Sequence, residues 1–255
     1  MNKKGWLMTI AVVGFLLSVY FMMEYEILGK DTIDGRYYGN TEVKLIRIYQ
    51  EGDEMGFNLN YFSGEAFKKS LLRLSEKAGW SKTEGLPDQC LVNGVVLLQD
   101  YCRPDLRGQL KIEFMNNFNE LINEFKKENN KYGAFNDEEV IVSGSFIEGK
   151  SKKEVLFENL NDKNKVWSKR KVGFRVEIKD FEVFERIWGA ANKCSLSVDD
   201  LELKNCFKNN GFNAVTKDLG GYYLVLLDTG KRIFYLGQPK IFEIKFLVQK
   251  QNSDQ

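Results

Sequence analysis

The chain has 255 residues, with 37 lysines and arginines, 36 aspartates and glutamates, and no histidine. A net charge of +1 supplies no overall basic field, so we expect no nucleic-acid partner. The missing imidazole excludes Ser-His-Asp and Cys-His nucleophilic sites and His-ligated zinc or haem. Any enzyme would have to work with carboxylates, lysine, tyrosine or backbone donors, and the sequence contains no convergent group of such residues. We predict no cofactor, no metal site and no catalytic residue. The chain is long enough for one large domain or two small ones.

The first strong signal is an uncharged run of eighteen residues, 6–23. As a helix this run would span about 27 Å, close to the thickness of a bilayer's hydrocarbon core. Trp6 and Tyr20 lie near its two ends, where amphipathic rings favour the interface. A cleaved secretory signal would need small residues before the cut, and a buried core helix would need a polar face. Neither is present, so we predict that residues 1–5 are a cytoplasmic basic tip and that Trp6 to Met23 is a transmembrane anchor in the lipid bilayer.

Charge predicts the orientation of this anchor. Lys3 and Lys4 precede the run, whereas Glu24, Glu26, Asp31 and Asp34 dominate the stretch after it. The positive-inside rule then places the N-terminus in the cytoplasm and the bulk of the chain outside it, at the cell membrane.

Outside the cytoplasm disulfides persist, and the four cysteines form two local pairs with equal spacing. We predict the disulfides Cys90–Cys102 and Cys194–Cys206. Each would close a loop of about a dozen residues and stabilise the fold by roughly 3 kcal/mol in the chain-entropy model. Four buried thiols are the alternative, and a zinc site is disfavoured because no C-x2-C pair is present.

Periodicity in the first half predicts mainly helices. Residues 24–63 contain many polar residues and glycines around one apolar stretch, 43–49, and residues 64–79 have helical spacing with Gly79 as the stop. Asn93-Gly94 between apolar residues predicts a hairpin inside the first cysteine loop. Residues 107–130 form the clearest amphipathic helix.

The second half mixes strands and helices. Two strands around a turn are predicted over 138–158, and alternation predicts a strand over 171–179. Asp180 is predicted to cap one helix, and Ser197 with Asp200 to begin another. Three strands then follow over 221–228, 231–237 and 240–249, with turns at 228–230 and 237–239.

These elements predict an α+β class with antiparallel strands and amphipathic helices. The predicted organisation after the anchor is a helix-rich first half over 24–135, an α+β second half over 136–250 ending in an antiparallel meander, and a tail over 251–255.

The segment GSFIEGKS matches the pattern of a phosphate-binding loop through Gly144, Gly149, Lys150 and Ser151. Asp228, at the end of an apolar run, resembles the aspartate that holds magnesium in such sites. The variable positions hold bulky residues and Glu148, which obstruct the backbone nest and repel phosphate. Period-two alternation across the segment favours a strand pair, so nucleotide binding is kept as an alternative.

A second candidate site is basic and aromatic. Five cations surround Trp167 in the sequence, and they could contact an anionic surface polymer or lipid headgroups. The competing interpretation, a solvated loop, is favoured. The cations are Lys163, Lys165, Lys169, Arg170 and Lys171.

Four segments carry a resemblance to a known group: YQEGDEMGFNLNYFSGEAFKKSLLRLSEKAG, RGQLKIEFMNNFNELINEF, FRVEIKDFEVFERIW and GGYYLVLLDTGKRIFYLGQPKIFEIKFLV. Together with the apolar opening they resemble uncharacterised membrane-anchored proteins of small-genome archaea, over most of the chain. The resemblance implies an envelope location, paired cysteines and no assigned activity.

The opening MNKKGW also resembles an archaeal pilin-type leader, which is cut after a glycine that follows two lysines. The resemblance implies cleavage after Gly5 and packing of the apolar helix in a filament core. The fifth residue after such a cut is Ile10, where many pilins have glutamate.

The sequence thus predicts a non-enzymatic binding, scaffolding or surface-contact role at the cell envelope, with an envelope protein or surface polymer as partner. Homo-oligomerisation is compatible with this role, and a filament subunit or a nucleotide-binding protein is the alternative.

Overall fold

A computed structural model describes residues 35–82, 86–128, 138–158, 167–195 and 199–250. The chain forms two compact units. The first contains the described residues up to Glu54 together with Leu156–Arg170, and the second contains Met55–Val155 and the described residues from Lys171 onward. The predicted anchor, residues 6–23, the predicted tail and the change of character expected near residue 136 all lie outside the described residues.

The longest element is helix α1, Gly35–Glu76, with 42 residues. The prediction of a helix over 64–79 alone is wrong at its start, because α1 runs through Gly52, Gly56 and Gly64. Gly52 has a packing reason: a Cβ there would overlap the guanidinium of Arg170. Such close packing overrides the low helix propensity of glycine. The predicted stop is confirmed, since Gly79 has φ +98° and its N–H donates to the carbonyl of Leu74 at 2.7 Å.

The predicted hairpin is confirmed as strands β1, Leu91–Val92, and β2, Val95–Val96. Its turn residues have φ +51° at Asn93 and +77° at Gly94, the left-handed region that this dipeptide tolerates. Short 3-10 helices, Asp88–Cys90 and Asp100–Cys102, flank the hairpin.

Helix α2, Leu106–Glu128, matches the predicted amphipathic helix. It packs on a sheet of order β3-β4-β7, built from Glu138–Val142, Phe146–Ser151 and Gly173–Glu177. Both pairings are antiparallel. The ring of Phe174 in β7 lies 4.6 Å from that of Phe118 and 5.7 Å from that of Phe114. The structure has one strand more than predicted over 138–158, because β5, Val155–Glu158, pairs separately with β6, Trp167–Arg170.

Helices α3, Glu182–Cys194, and α4, Asp200–Asn209, follow. The predicted cap at Asp180 is wrong: a 3-10 turn, Lys179–Phe181, precedes α3, and Asp180 instead accepts from Lys231 at 2.6 Å. The cap of α4 is Asp199, whose carboxylate accepts from the N–H of Glu202 at 2.8 Å. Ser197, the predicted start, lies outside the described residues.

The last sheet has the order β10-β9-β8, with β8 Asn213–Asp218, β9 Tyr222–Tyr235 and β10 Gln238–Gln249, all antiparallel. The predicted turn at Asp228-Thr229-Gly230 is wrong, since β9 runs through it. Residues 229–231 stand opposite Phe242 alone, and this irregularity replaces the turn. The third strand is β8, upstream of the predicted meander. The second turn is Leu236-Gly237, one residue earlier than predicted.

Aromatic contacts join this sheet to both helices. Phe184 of α3 lies 5.7 Å from Phe242, and Phe207 of α4 lies 5.8 Å from Phe246. The observed class is α+β with antiparallel sheets, as predicted. Among the described helices, none carries a stretch long and apolar enough to cross a bilayer.

Candidate functional sites

Both predicted disulfides are present. Cys90 pairs with Cys102 and Cys194 with Cys206, and no cysteine is left free. Cys90, Cys102 and Cys194 are fully buried. The first pair closes the base of the β1–β2 hairpin, and the second joins the last residue of α3 to α4. The first bond therefore lies in the core of the second unit, and the second joins that core through Cys194 to the half-buried Cys206.

The residues of the phosphate-loop pattern form a strand, not a loop. Gly149, Lys150 and Ser151 belong to β4, and a Cβ on Gly149 would overlap the ring of Phe174. Ser151 is buried, and its hydroxyl accepts from the N–H of Val172 at 3.1 Å. Gly149 therefore leaves room for the ring of Phe174, and Ser151 supplies a hydrogen bond to the neighbouring backbone. These structural roles explain both residues without a bound phosphate.

Asp228, the predicted magnesium partner, lies in the other sheet of the second unit. It pairs with Glu243 and Asn213 in the register of β9, and its carboxylate accepts from the N–H of Gly230 at 2.8 Å. Gly144 lies in the bend before β4. The structure thus places Asp228 in strand pairing and Gly144 in a bend and does not bring them together as a nucleotide site.

The cationic candidate is divided by the fold. Lys163 and Lys165 lie outside the described residues, and Lys171 belongs to the second unit. Within the first unit, Trp167 is 58% exposed and the ammonium of Lys169 lies 5.5 Å from its ring centroid.

Arg170 is committed to other contacts in the same unit. Its guanidinium lies 2.9 Å from Asp53 and 5.4 Å from the ring centroid of Phe157. Of the predicted residues that the structure describes in the first unit, only Trp167 and Lys169 therefore remain as a pair available to an anionic ligand.

A cavity of about 260 Å³ lies beside the start of α3 in the second unit. Its floor includes Ile178 and Phe181, and its polar rim is formed by two arginines and two glutamates. Arg107 Nη2 lies 3.9 Å from Glu185 Oε1 across this rim. The charges balance, so the cavity offers a small polar ligand no excess of either sign. The four rim side chains are Arg107, Glu182, Glu185 and Arg186.

A buried polar cluster joins α1 to α2. Asn117 is fully buried and donates to the hydroxyl of Ser70 at 2.9 Å and to Glu113 at 3.3 Å. Glu113 also accepts from Arg73 at 3.2 Å. The oxygen of the Asn117 amide has no partner among the described atoms. This cluster fixes the register of two helices, since buried polar groups pack in only a few arrangements.

Surface ion pairs lower the pKa of several carboxyls. The hydrogen bond from Lys204, and then that from Thr216, lowers the pKa of Asp200. Lys250, followed by the N–H of Gly220, lowers the pKa of Asp218. Each shift favours the ionised carboxylate at neutral pH, which suits a structural ion pair better than a proton-transfer group.

The sequence does not predict one exposed surface, which is the distal part of the β9–β10 hairpin. This part, residues 229–242, is called the ribbon. The last β8 pair is Asn213 with Asp228, so the ribbon extends beyond the three-stranded sheet. Phe234, Leu236 and Ile241 are 58%, 56% and 60% exposed. The sequence predicts two strands around a turn in this region, and nothing in that pattern indicates that they extend past the end of β8.

The tip of the ribbon is held in place. Glu65 is only 5% exposed, and its carboxylate accepts a hydrogen bond from the N–H of Leu236 at 2.8 Å. Leu236 has φ +47°, a conformation that costs a non-glycine residue roughly 1–2 kcal/mol. A strained, exposed leucine on a fixed tip is the kind of outlier from which function can be inferred.

Comparison with known proteins gives no homologue. The chain has no match among protein-family models, curated proteins or solved structures.

Proposed function

We propose that the chain is a single-pass membrane protein with its N-terminus in the cytoplasm and an α+β domain outside it. Its role is non-enzymatic binding, scaffolding or surface contact at the cell envelope. The observation that carries the proposal is the pair of disulfides in the second unit. Such bonds persist in oxidising compartments and are rare where thiols are kept reduced.

The uncharged run from Trp6 to Met23 supports the anchor through its length and its flanking charges. The absence of histidine supports a role that does not depend on imidazole chemistry. An envelope protein or a surface polymer is the proposed class of partner.

The compartment is tested by non-reducing peptide mapping of the chain taken from native membranes, with alkylation during lysis. We expect the peptides that contain Cys90 and Cys102 to remain joined until reductant is added. Four alkylated thiols would contradict the proposal. Protease added to intact cells gives the second readout: loss of the part after Glu24 is expected, and full protection contradicts the assigned side.

A filament subunit is the second candidate, and the surface of α1 in the first unit favours it. Val43, Ile46 and Tyr49 are 61%, 56% and 54% exposed at spacings of three residues, so they form an apolar strip. A neighbouring subunit would cover such a strip. Mass spectrometry of the mature chain separates the two candidates: Trp6 as first residue indicates cleavage after Gly5, and an intact Met1 excludes it.

A further inference from the structure

The ribbon has an apolar outer face. Directly opposed residues of an antiparallel pair share a face, and the register opposes Arg232 to Ile241 and Phe234 to Pro239. All four are exposed, whereas Ile233, which belongs to the other face, is only 6% exposed. One face of the ribbon therefore packs on the protein and the other presents apolar side chains to the exterior.

The ribbon is also basic. Between Asp228 and Glu243 the sequence contains Lys231, Arg232 and Lys240 and no carboxylate. Lys231 is engaged by Asp180, whereas Arg232 and Lys240 form no ion pair within the described part of the chain. Arg232 lies on the outer face beside Phe234 and Ile241, whereas Lys240 opposes Ile233 and belongs to the other face.

We propose that the tip of the ribbon docks on an anionic phospholipid surface. Leu236 and Phe234 enter the boundary between headgroups and acyl chains, and Arg232, on the same face as Phe234, contacts the lipid phosphates. Apolar side chains beside a cation match the two layers of such an interface. An acidic polymer would engage the arginine but would leave the leucine and the phenylalanine in water.

The size of the surface disfavours a second copy of the chain. Three side chains a little over half exposed offer on the order of 300 Å² of apolar area, whereas a stable interface needs about 800 Å² from each partner. The strain at Leu236 also fits an inserted residue, because asparagine or glycine would satisfy this turn without strain. Glu65 holds the tip, so little ordering is required on docking.

This inference deepens the proposed envelope role, and its test is separable from that of the anchor. The full chain is placed in nanodiscs of neutral phosphatidylcholine and mixed with sucrose-loaded vesicles. The vesicles are either neutral or contain phosphatidylglycerol as about one lipid in three. Retention in the discs reports on the anchor. Sedimentation with the vesicles reports on the ribbon.

We expect sedimentation only with anionic vesicles. The variant Arg232→Gln should lower the partition coefficient about fivefold, since that is the contribution of one cation near an anionic surface. Lys152→Gln removes one exposed cation elsewhere in the second unit and is the matched control, expected to bind like the original chain. Equal binding to neutral vesicles, or unchanged binding by the ribbon variant, overturns the proposal.

Docking on the bilayer that holds the anchor is detected by a fluorophore at Gln238→Cys, the only free thiol because the native cysteines are paired. Anionic discs should shift the emission to the blue, and a lipid-borne quencher should reduce it. A label at Lys152→Cys should not respond. No response at Gln238 in anionic discs, together with no vesicle binding, overturns the proposal. A shift that occurs only in discs with two copies also overturns it, and assigns the tip to a second chain.

Discussion

Trp188 shows how one buried hydrogen bond fixes the end of a helix. The side chain is 1% exposed, and its indole N–H donates to the carbonyl of Ala78 at 2.9 Å. Ala78 has φ +50° and follows the last turn of α1, where carbonyls lack partners within the helix. The tryptophan thus satisfies a carbonyl that would otherwise be buried without one.

Trp188→Phe should lower the free energy of unfolding by about 1–3 kcal/mol, because the carbonyl of Ala78 is left unpaired. Urea unfolding followed by far-UV circular dichroism measures this change. Trp167→Phe, at a site 58% exposed, is the control and should stay within about 0.5 kcal/mol. Similar values for both variants would contradict the assigned role.

Asp200 links pH to stability. Lys204, then Thr216, lowers its pKa in the folded state, so its contribution is complete above about pH 5 and is lost as the pH falls through the folded pKa. The side chain is 46% exposed, which limits the contribution to less than about 1 kcal/mol.

Asp200→Asn should therefore destabilise the protein at pH 7 and make little difference near pH 2. Thermal unfolding from pH 7 to pH 2 measures the difference in Tm between the variant and the original chain. A difference that grows toward low pH has the wrong sign for this mechanism. Glu202→Gln, in the same helix turn, controls for the loss of a negative charge near the helix start.

Among the elements, the β9–β10 turn is where stability and proposed function conflict. Leu236 and Gly237 both have positive φ, the geometry of a two-residue turn that favours asparagine followed by glycine. Leu236→Asn should raise the free energy of unfolding by about 1 kcal/mol through relief of strain. It should also weaken vesicle binding.

Chemical denaturation and vesicle sedimentation of the same variant provide the two readouts. Leu219→Asn, at a 45% exposed position without positive φ, should change neither by much. If Leu236→Asn is less stable than the original chain and binds anionic vesicles equally well, both the backbone strain at Leu236 and its docking role are contradicted.

Gly149 in strand β4 is required for packing. Gly149→Ala should destabilise the second unit by about 1–3 kcal/mol, because the new methyl overlaps the ring of Phe174. Gly144→Ala, in the same sequence pattern, meets only Arg107 at 3.9 Å and should be near neutral. Equilibrium unfolding of both variants measures the contrast. A phosphate loop would instead need both glycines for ligand binding and neither for packing.

Local chemistry predicted the elements whose signals lie within a few residues. The Asn93-Gly94 hairpin, the amphipathic helix α2 and the two cysteine pairs are examples, since each depends on spacing or on turn residues. The glycines inside α1 and the turn residues inside β9 misled the prediction. Two of these positions depend on partners distant in sequence: Gly52 packs against Arg170, and residues 229–231 stand opposite Phe242.

The candidate sites divide in the same way. The cysteines could be located from spacing alone, whereas the ribbon depends on where β8 ends and on a hydrogen bond between Glu65 and Leu236. A leucine at the first position of a tight turn carries no recognisable sequence signal, because that position ordinarily favours asparagine, aspartate or glycine.

At the scale of the whole molecule, the two disulfides constrain the unfolded chain in two separate places. Each spans a sequence separation of 12, so loss of either should cost roughly 3 kcal/mol. The double variants Cys90→Ser/Cys102→Ser and Cys194→Ser/Cys206→Ser should each unfold at lower guanidinium concentration than the original chain. Under reductant, the unfolding midpoints of all three proteins should become equal. A remaining difference would show that the substitutions disturb packing and do not act only by removing a cross-link.

The hydrogen bond between the N–H of Leu98 and the carbonyl of Leu247, at 2.8 Å, spans almost 150 positions. The hairpin closed by Cys90 and Cys102 thus contacts strand β10, which the ribosome makes much later than the hairpin. Oxidation of that pair does not have to wait for its neighbour, since its own loop is short. A nascent polypeptide could accordingly acquire its first cross-link before the strand that its hairpin contacts has been synthesised, so this contact between distant segments forms late in folding.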